Sequence, residues 1–130
     1  FYGAHQAPRQ PFLVAGGGLW ELPVATAAWA GQRLPIGGGG YWRLAPLAYT
    51  HWGLRRALAQ GLRPICYLHP WELDPQQPRV ALPLGRRLRH YVGLGAMEAR
   101  LAALLRHFGS RTVQKVFDAE LGGVPAGVPA

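Results

Sequence analysis

Apolar residues recur at three- and four-residue spacing over 43–60. Leu44, Leu47, Ala48, His51, Leu54 and Leu58 form one stripe, the mark of an amphipathic helix. Pro46 falls in the first turn, where a missing N–H costs nothing. Gly61 is placed to cap the other end, near Arg55 and Arg56 at the negative pole of the helix dipole. A second stripe, Met97, Leu101, Leu104, Leu105 and Phe108, predicts a helix over 96–108 that Gly109 stops. Between them, 63–69 is a short apolar run bounded by prolines and reads as a buried strand. Helix, turn, strand is the αβ unit of a parallel sheet or barrel. A strand is also predicted over 19–24, ending or lying at an edge because Pro23 removes a ladder hydrogen bond.

The remaining pattern is weaker. Residues 1–18 and 25–40 read as loops, the second closing in Gly37 to Gly40, a run whose ordering entropy argues against a helix or strand interior. Residues 70–94 read as irregular. Residues 112–117 alternate and predict a final strand, and a glycine-, proline- and alanine-rich tail follows. No internal repeat is present.

A chain of 130 residues with 49% hydrophobic content has material for one core, so one domain or part of one is expected. The first residues read as mid-protein loop with no secretory signal pattern, and no apolar run approaches the roughly 20 residues that cross a bilayer. A soluble piece without a membrane span is the expectation; its compartment stays open. Cys66, the single cysteine, excludes an internal disulfide and a cysteine-based metal cluster, and reads as a small buried thiol.

The net charge of +8 comes from arginine, 13 of the 14 basic residues. Only 86–91 approaches the basic, aromatic-interleaved patch that nucleic acid requires, so no nucleic-acid partner is expected. An acidic polysaccharide suits the charge equally well.

Candidate chemistry concentrates in Tyr67-Leu68-His69-Pro70-Trp71-Glu72. An apolar strand ends in His69 and Pro70 turns the chain out of the ladder. In α/β folds, loops at the C-terminal ends of parallel strands converge on ligands. Trp71 offers a flat face for a sugar ring, and Glu72 a carboxylate able to orient an imidazole. A structural histidine at a strand end fits the same pattern. The second candidate is Gly37 to Arg43, where Gly39 and Gly40 would permit close approach and Tyr41 and Trp42 would meet a sugar; a structural turn is the alternative. This run lacks the lysine and hydroxyl residue of a nucleotide loop. Glu21 either meets solvent, pairs with an arginine, or points into a site. His51 reads as a satisfied core histidine. His5, His90 and His107 show no spacing that assembles a zinc site with carboxylates.

Four segments in order carry a resemblance: Trp20-Glu21-Leu22-Pro23; Leu34-Pro35-Ile36 through the glycine run to Tyr41-Trp42-Arg43-Leu44; Tyr67-Leu68-His69-Pro70-Trp71-Glu72-Leu73-Asp74-Pro75; and Arg89-His90-Tyr91. Over about residues 1–117 the chain resembles the C-terminal region of the polysaccharide deacetylases of exosortase (PEP-CTERM) exopolysaccharide loci, and the third segment is the most specific. The resemblance implies an α/β fold, the C-terminal part of a distorted (β/α) barrel of the NodB-homology type over 1–117, with a flexible tail over 118–130. It implies hydrolysis of N-acetyl groups on a polysaccharide by an enzyme using a divalent metal, usually zinc, whose ligands and general base lie in motifs absent here. By that resemblance His69 is the general acid that protonates the departing amine. Gly39, Gly40, Tyr41, Trp42, Tyr67, Leu68, Trp71 and Glu72 are expected near substrate, with Tyr67 standing where the family usually has leucine. The piece alone is expected to be inactive and to bind no metal. A non-catalytic glycan-binding module using arginine and tryptophan is the competing reading.

Overall fold

The computed structural model describes residues 7–14 and 18–121, with side chains through 118, and shows a mixed α/β arrangement of two small sheets and five helices. Strands β1 (Phe12–Leu13) and β2 (Trp20–Glu21) pair antiparallel, Phe12 against Glu21. Strands β3 (Thr26–Trp29) and β4 (Gln32–Pro35) form an antiparallel hairpin with Thr26 opposite Pro35. The expectation of a loop over 25–40 is thus corrected. The hairpin turns on Ala30 and Gly31, both at positive φ (46° and 75°), as a two-residue turn with the strands' own twist requires. Alanine is an unusual residue there, and Ala27, the position the hairpin buries completely, is small. Both features hide the hairpin from a search for large apolar residues and Asn-Gly turns.

The helix predicted over 43–60 is two helices, α1 (Gly39–Leu44) and α2 (Leu47–Ala59). Ala45 sits at φ −92°, ψ 157°, because the ring of Pro46 disfavours the helical region for the residue before it. Gly39 and Gly40, expected outside any helix, form the first turn of α1. Residues 63–69 are extended but pair only at isolated positions, Val24 with Ile65 and Gly38 with Tyr67, both parallel. The N–H of Tyr67 donates to Gly37 O at 2.9 Å, and that of Gly39 to Tyr67 O at 3.2 Å. The pairing is parallel and crossed over by α1 and α2, but the buried strand expected over 63–69 is not formed: its residues are half-buried or exposed. No closed barrel is formed by the described residues.

After a 3-10 turn (Pro70–Leu73) come α3 (Leu84–Tyr91), α4 (Leu94–Phe108) and α5 (Val113–Leu121). α3 lies in the stretch expected to be irregular. α5 replaces the strand predicted over 112–117: the alternation of Val113, Lys115 and Phe117 against Thr112, Gln114 and Val116 put Val116 and Phe117 on opposite faces, whereas Val116 is half-buried and Phe117 buried at adjacent positions and 112–115 are exposed. α5 runs past the expected domain end at 117, and residues 122–130 of the expected tail lie outside the described residues. Gly93 opens α4 at φ +79°, and a Cβ there would lie 2.5 Å from Arg43 O, so both backbone conformation and contact demand glycine.

The core joins the hairpin (Ala25, Ala27), Ile36, Trp42, α2 (Leu54, Ala57) and α4 (Met97, Leu104). Gly53 lets α2 approach Ile36, since a Cβ would fall 2.4 Å from Ile36 Cγ2. Cys66, expected inside, is exposed as a residue. Desolvation nonetheless pushes the thiol up to about 11, which keeps it protonated at neutral pH. His51 is half-buried and its Nε2 has no hydrogen-bond partner, which corrects the expectation of a satisfied core histidine. No helix of the described residues is long and apolar enough to cross a membrane.

Candidate functional site

The segment that pairs with the glycine run emerges as an aromatic ledge. Tyr67, His69 and Trp71 alternate along extended chain and then the 3-10 turn, and all three are exposed. The imidazole of His69 stacks on the Trp71 ring, centroids 4.0 Å apart and planes 9° apart, while Tyr67 meets it edge-on at 5.3 Å. Two rings thus flank the imidazole.

Beneath the ledge lies a buried ionic clamp. Glu72 is 2% exposed. Its Oε2 accepts the backbone N–H of His69 at 3.0 Å and its Oε1 accepts Arg43 Nε at 3.2 Å. The N–H of Glu72 returns a bond to His69 O at 2.9 Å. Glu72 therefore fixes the His69 main chain and leaves the imidazole to the aromatic rings, whereas the sequence pointed to a carboxylate orienting the imidazole itself. Being buried and committed on both oxygens, it offers nothing to a substrate.

Arg43 carries the clamp further. Its Nη1 donates to the carbonyls of His90 (3.1 Å) and Val92 (2.9 Å) at the C-terminal end of α3. Those carbonyls are orphan acceptors of a helix end, and a guanidinium there satisfies them and complements the dipole. Arg100 of α4 does the same for α1, donating to Arg43 O at 3.2 Å and Ala45 O at 2.9 Å. Two arginines and one glutamate thus lock α1, α3, α4 and the 3-10 turn together. Arg100 and the clamping role of Arg43 were not legible in the sequence, because partners 29 to 58 positions away leave no local pattern.

The glycine run is the floor of the ledge. A Cβ on Gly39 would lie 2.0 Å from Glu72 Oε2, and one on Gly38 would touch the Tyr67 ring at 3.4 Å. Gly39 is needed for close approach of Glu72. Around Gly40 the space is open. Tyr41 is exposed, whereas Trp42 is buried and donates its indole N–H to Ile36 O at 2.6 Å. Trp42 belongs to the core, which corrects the expectation that it meets a sugar. Leu68 packs partly against the same core.

Of the residues expected near substrate, Tyr67, His69 and Trp71 are brought together in the open, and Gly39, Leu68 and Glu72 support them from below. Glu21 is exposed on the small first sheet. His51 and His107 come together instead with Phe108, between α2 and α4. His90 meets Tyr91 edge-on, and His5 lies outside the described residues. Among the described residues, no group of three or more His, Cys, Asp or Glu is gathered so as to hold a metal ion.

A family model described as a domain of unknown function (DUF3473) matches residues 1–118. No curated protein matches the chain. No solved structure matches it either.

Proposed function

We propose that this chain, which belongs to the family described as a domain of unknown function (DUF3473), is the C-terminal portion of a metal-dependent polysaccharide deacetylase in which His69 is the general acid. The observation that carries the reading is the His69 imidazole, exposed between two aromatic rings on a backbone fixed by Glu72. The ordered segments that resemble exopolysaccharide deacetylases support it. Parallel pairing of Gly38 with Tyr67 across two helices supports the finer assignment to a (β/α) barrel completed by other parts of the protein.

In this reading the exposed faces of Tyr67 and Trp71 contact sugar rings beside the scissile amide. When the tetrahedral intermediate collapses, the C–N bond breaks and its electron pair goes to nitrogen. His69 gives that nitrogen its proton, so the product leaves as a neutral amine. A general acid of this kind contributes about 10²–10⁴-fold. The described residues do not fit a metal site. The divalent metal, usually zinc, would be held elsewhere in the protein.

The test is His69→Ala in the intact protein, assayed on an N-acetylated oligosaccharide. Turnover should fall by about 10²–10⁴-fold with metal content and oligosaccharide affinity unchanged. Loss of metal in the variant would make His69 a ligand instead. The exposed aromatic ledge also favours a second reading, a non-catalytic glycan-binding module. In that case the intact protein would bind the oligosaccharide without deacetylating it.

A further inference from the structure

Helix α3 displays an apolar row that nothing in the described fold covers. At 100° per residue, Leu84, Leu88, Tyr91 and Val92 fall in one sector of the helix. Tyr91 turns inward at its edge, buried, its hydroxyl accepting the Val80 N–H at 3.0 Å. Leu84 remains 71% exposed and Leu88 51%. By the same projection Arg87 and Arg89 flank the row on its two sides and Arg86 lies behind it, all three exposed. From Pro75 to Met97 the chain holds four arginines and no aspartate or glutamate. The row is firmly presented, since Arg43 holds the carbonyls at the helix end.

We propose that α3 is a surface-docking helix for membranes rich in anionic phospholipid. Leucines bordered by arginines are the composition of a helix that lies in the plane of a bilayer, its apolar side at the acyl boundary and its guanidinium groups among headgroup phosphates. Charge complementarity requires an anionic partner, and the aliphatic row decides which one. A nucleic acid or an acidic glycan would satisfy the arginines but leave Leu84 and Leu88 in water, because such polymers are met by aromatic faces and by charge. An acyl region takes up the leucines while the headgroup phosphates above it meet the arginines, so one partner serves both halves of the surface. The inference uses none of the exposed residues assigned to the deacetylase reading, and it requires that the row stay open in the intact protein.

The test is co-sedimentation of the intact protein with vesicles of phosphatidylcholine containing phosphatidylglycerol, against phosphatidylcholine alone. Binding should require the anionic lipid and weaken as salt rises. Replacing the three arginines (Arg86→Gln, Arg87→Gln, Arg89→Gln) should lower affinity by on the order of a hundredfold, from about fivefold per arginine near the surface. Leu84→Ser with Leu88→Ser should lower it by roughly tenfold or more while the arginines remain. Both sets alter exposed positions, so circular dichroism should match the parent. Equal binding to neutral and anionic vesicles would overturn the proposal. So would anionic-vesicle binding unaffected by the leucine changes, which would mark a charge-only polyanion site. A stable complex with a protein partner that the leucine changes dissolve, without vesicle binding, would also overturn it and assign the row to that partner.

Discussion

Two histidine clusters divide the molecule. In one, His69 stands in the open between Tyr67 and Trp71; in the other, His51 is wedged between α2 and α4 against His107 and Phe108. Both are imidazoles among aromatic rings, and residue type does not separate them. Support does. The main chain of His69 is held by a buried carboxylate, itself held by an arginine that ties down another helix, so the ring is exposed yet fixed in place. His51 has the reverse arrangement: helical main chain, a ring packed on its neighbours, and an Nε2 that no group satisfies. A reactive imidazole needs a rigid base and an open edge, whereas a packing imidazole tolerates an unmet nitrogen because its rings supply the contact.

The largest way to break this contrast is to remove the base of the first cluster. Glu72→Ala leaves Arg43 buried with its charge unpaired and frees the His69 N–H. Breaking a buried ion pair on one side costs about 3–5 kcal/mol, and urea denaturation should show a loss of that order. The exposed Glu21→Ala should cost almost nothing, so equal effects at the two glutamates would mean that the clamp contributes little. Pairing Glu72→Ala with Arg43→Met in a double-mutant cycle would separate the cost of the orphaned charge from the value of the pair.

How much of this was legible beforehand follows from the range of the interactions. The amphipathic stripes located α2 and α4, and the prolines around 63–69 located the segment that carries His69, because helix periodicity and proline geometry are local. The open histidine beside Trp71 was legible for the same reason: Pro70 and Glu72 lie within one turn of it. The hairpin over Thr26–Pro35 was not, since its buried positions are alanines and its turn is Ala-Gly. Helix α3 was not, because three arginines within eight residues mask a stripe of only three or four apolar positions. The role of Trp42 reversed for a different reason: the glycines beside it suggested an open loop, but they serve close packing against Glu72 and Ile65. Sequence spacing could not distinguish glycine chosen for flexibility from glycine chosen for contact.

A smaller effect is expected at the wall of the ledge. Trp71→Ala removes the ring stacked on His69 but creates no cavity, since the indole is exposed. The stability loss should be about 0.5–1.5 kcal/mol, the value of an aromatic pair beyond its area, with Trp71→Phe retaining most of it. The His69 ring-proton resonances should shift in Trp71→Ala as the indole ring current disappears, and stay put in Glu21→Ala. Unmoved resonances would show that the stack does not hold the imidazole in solution, and the two clusters would then differ in burial alone.

The smallest effect sharpens the contrast from the other side. At His51, burial first, then the His107 ring and the Arg55 guanidinium, hold the imidazole below its ordinary value of 6.5. Arg55 and His107 are also joined directly, Arg55 Nη2 to His107 Nε2 at 2.9 Å, which holds a fixed positive charge near the His51 ring. The folded chain therefore takes up a proton at this site less readily than the unfolded one. By linkage its stability contribution is fully present above 6.5 and is lost as pH falls through the depressed folded value. Thermal midpoints of the parent should decline across that interval, and His51→Gln, which cannot titrate, should show a shallower decline. A parallel decline in the two proteins would place the acid sensitivity elsewhere and make His51 a neutral filler between α2 and α4. A shallower decline in the variant would mark the α2–α4 seam as a place where mild acid loosens the fold.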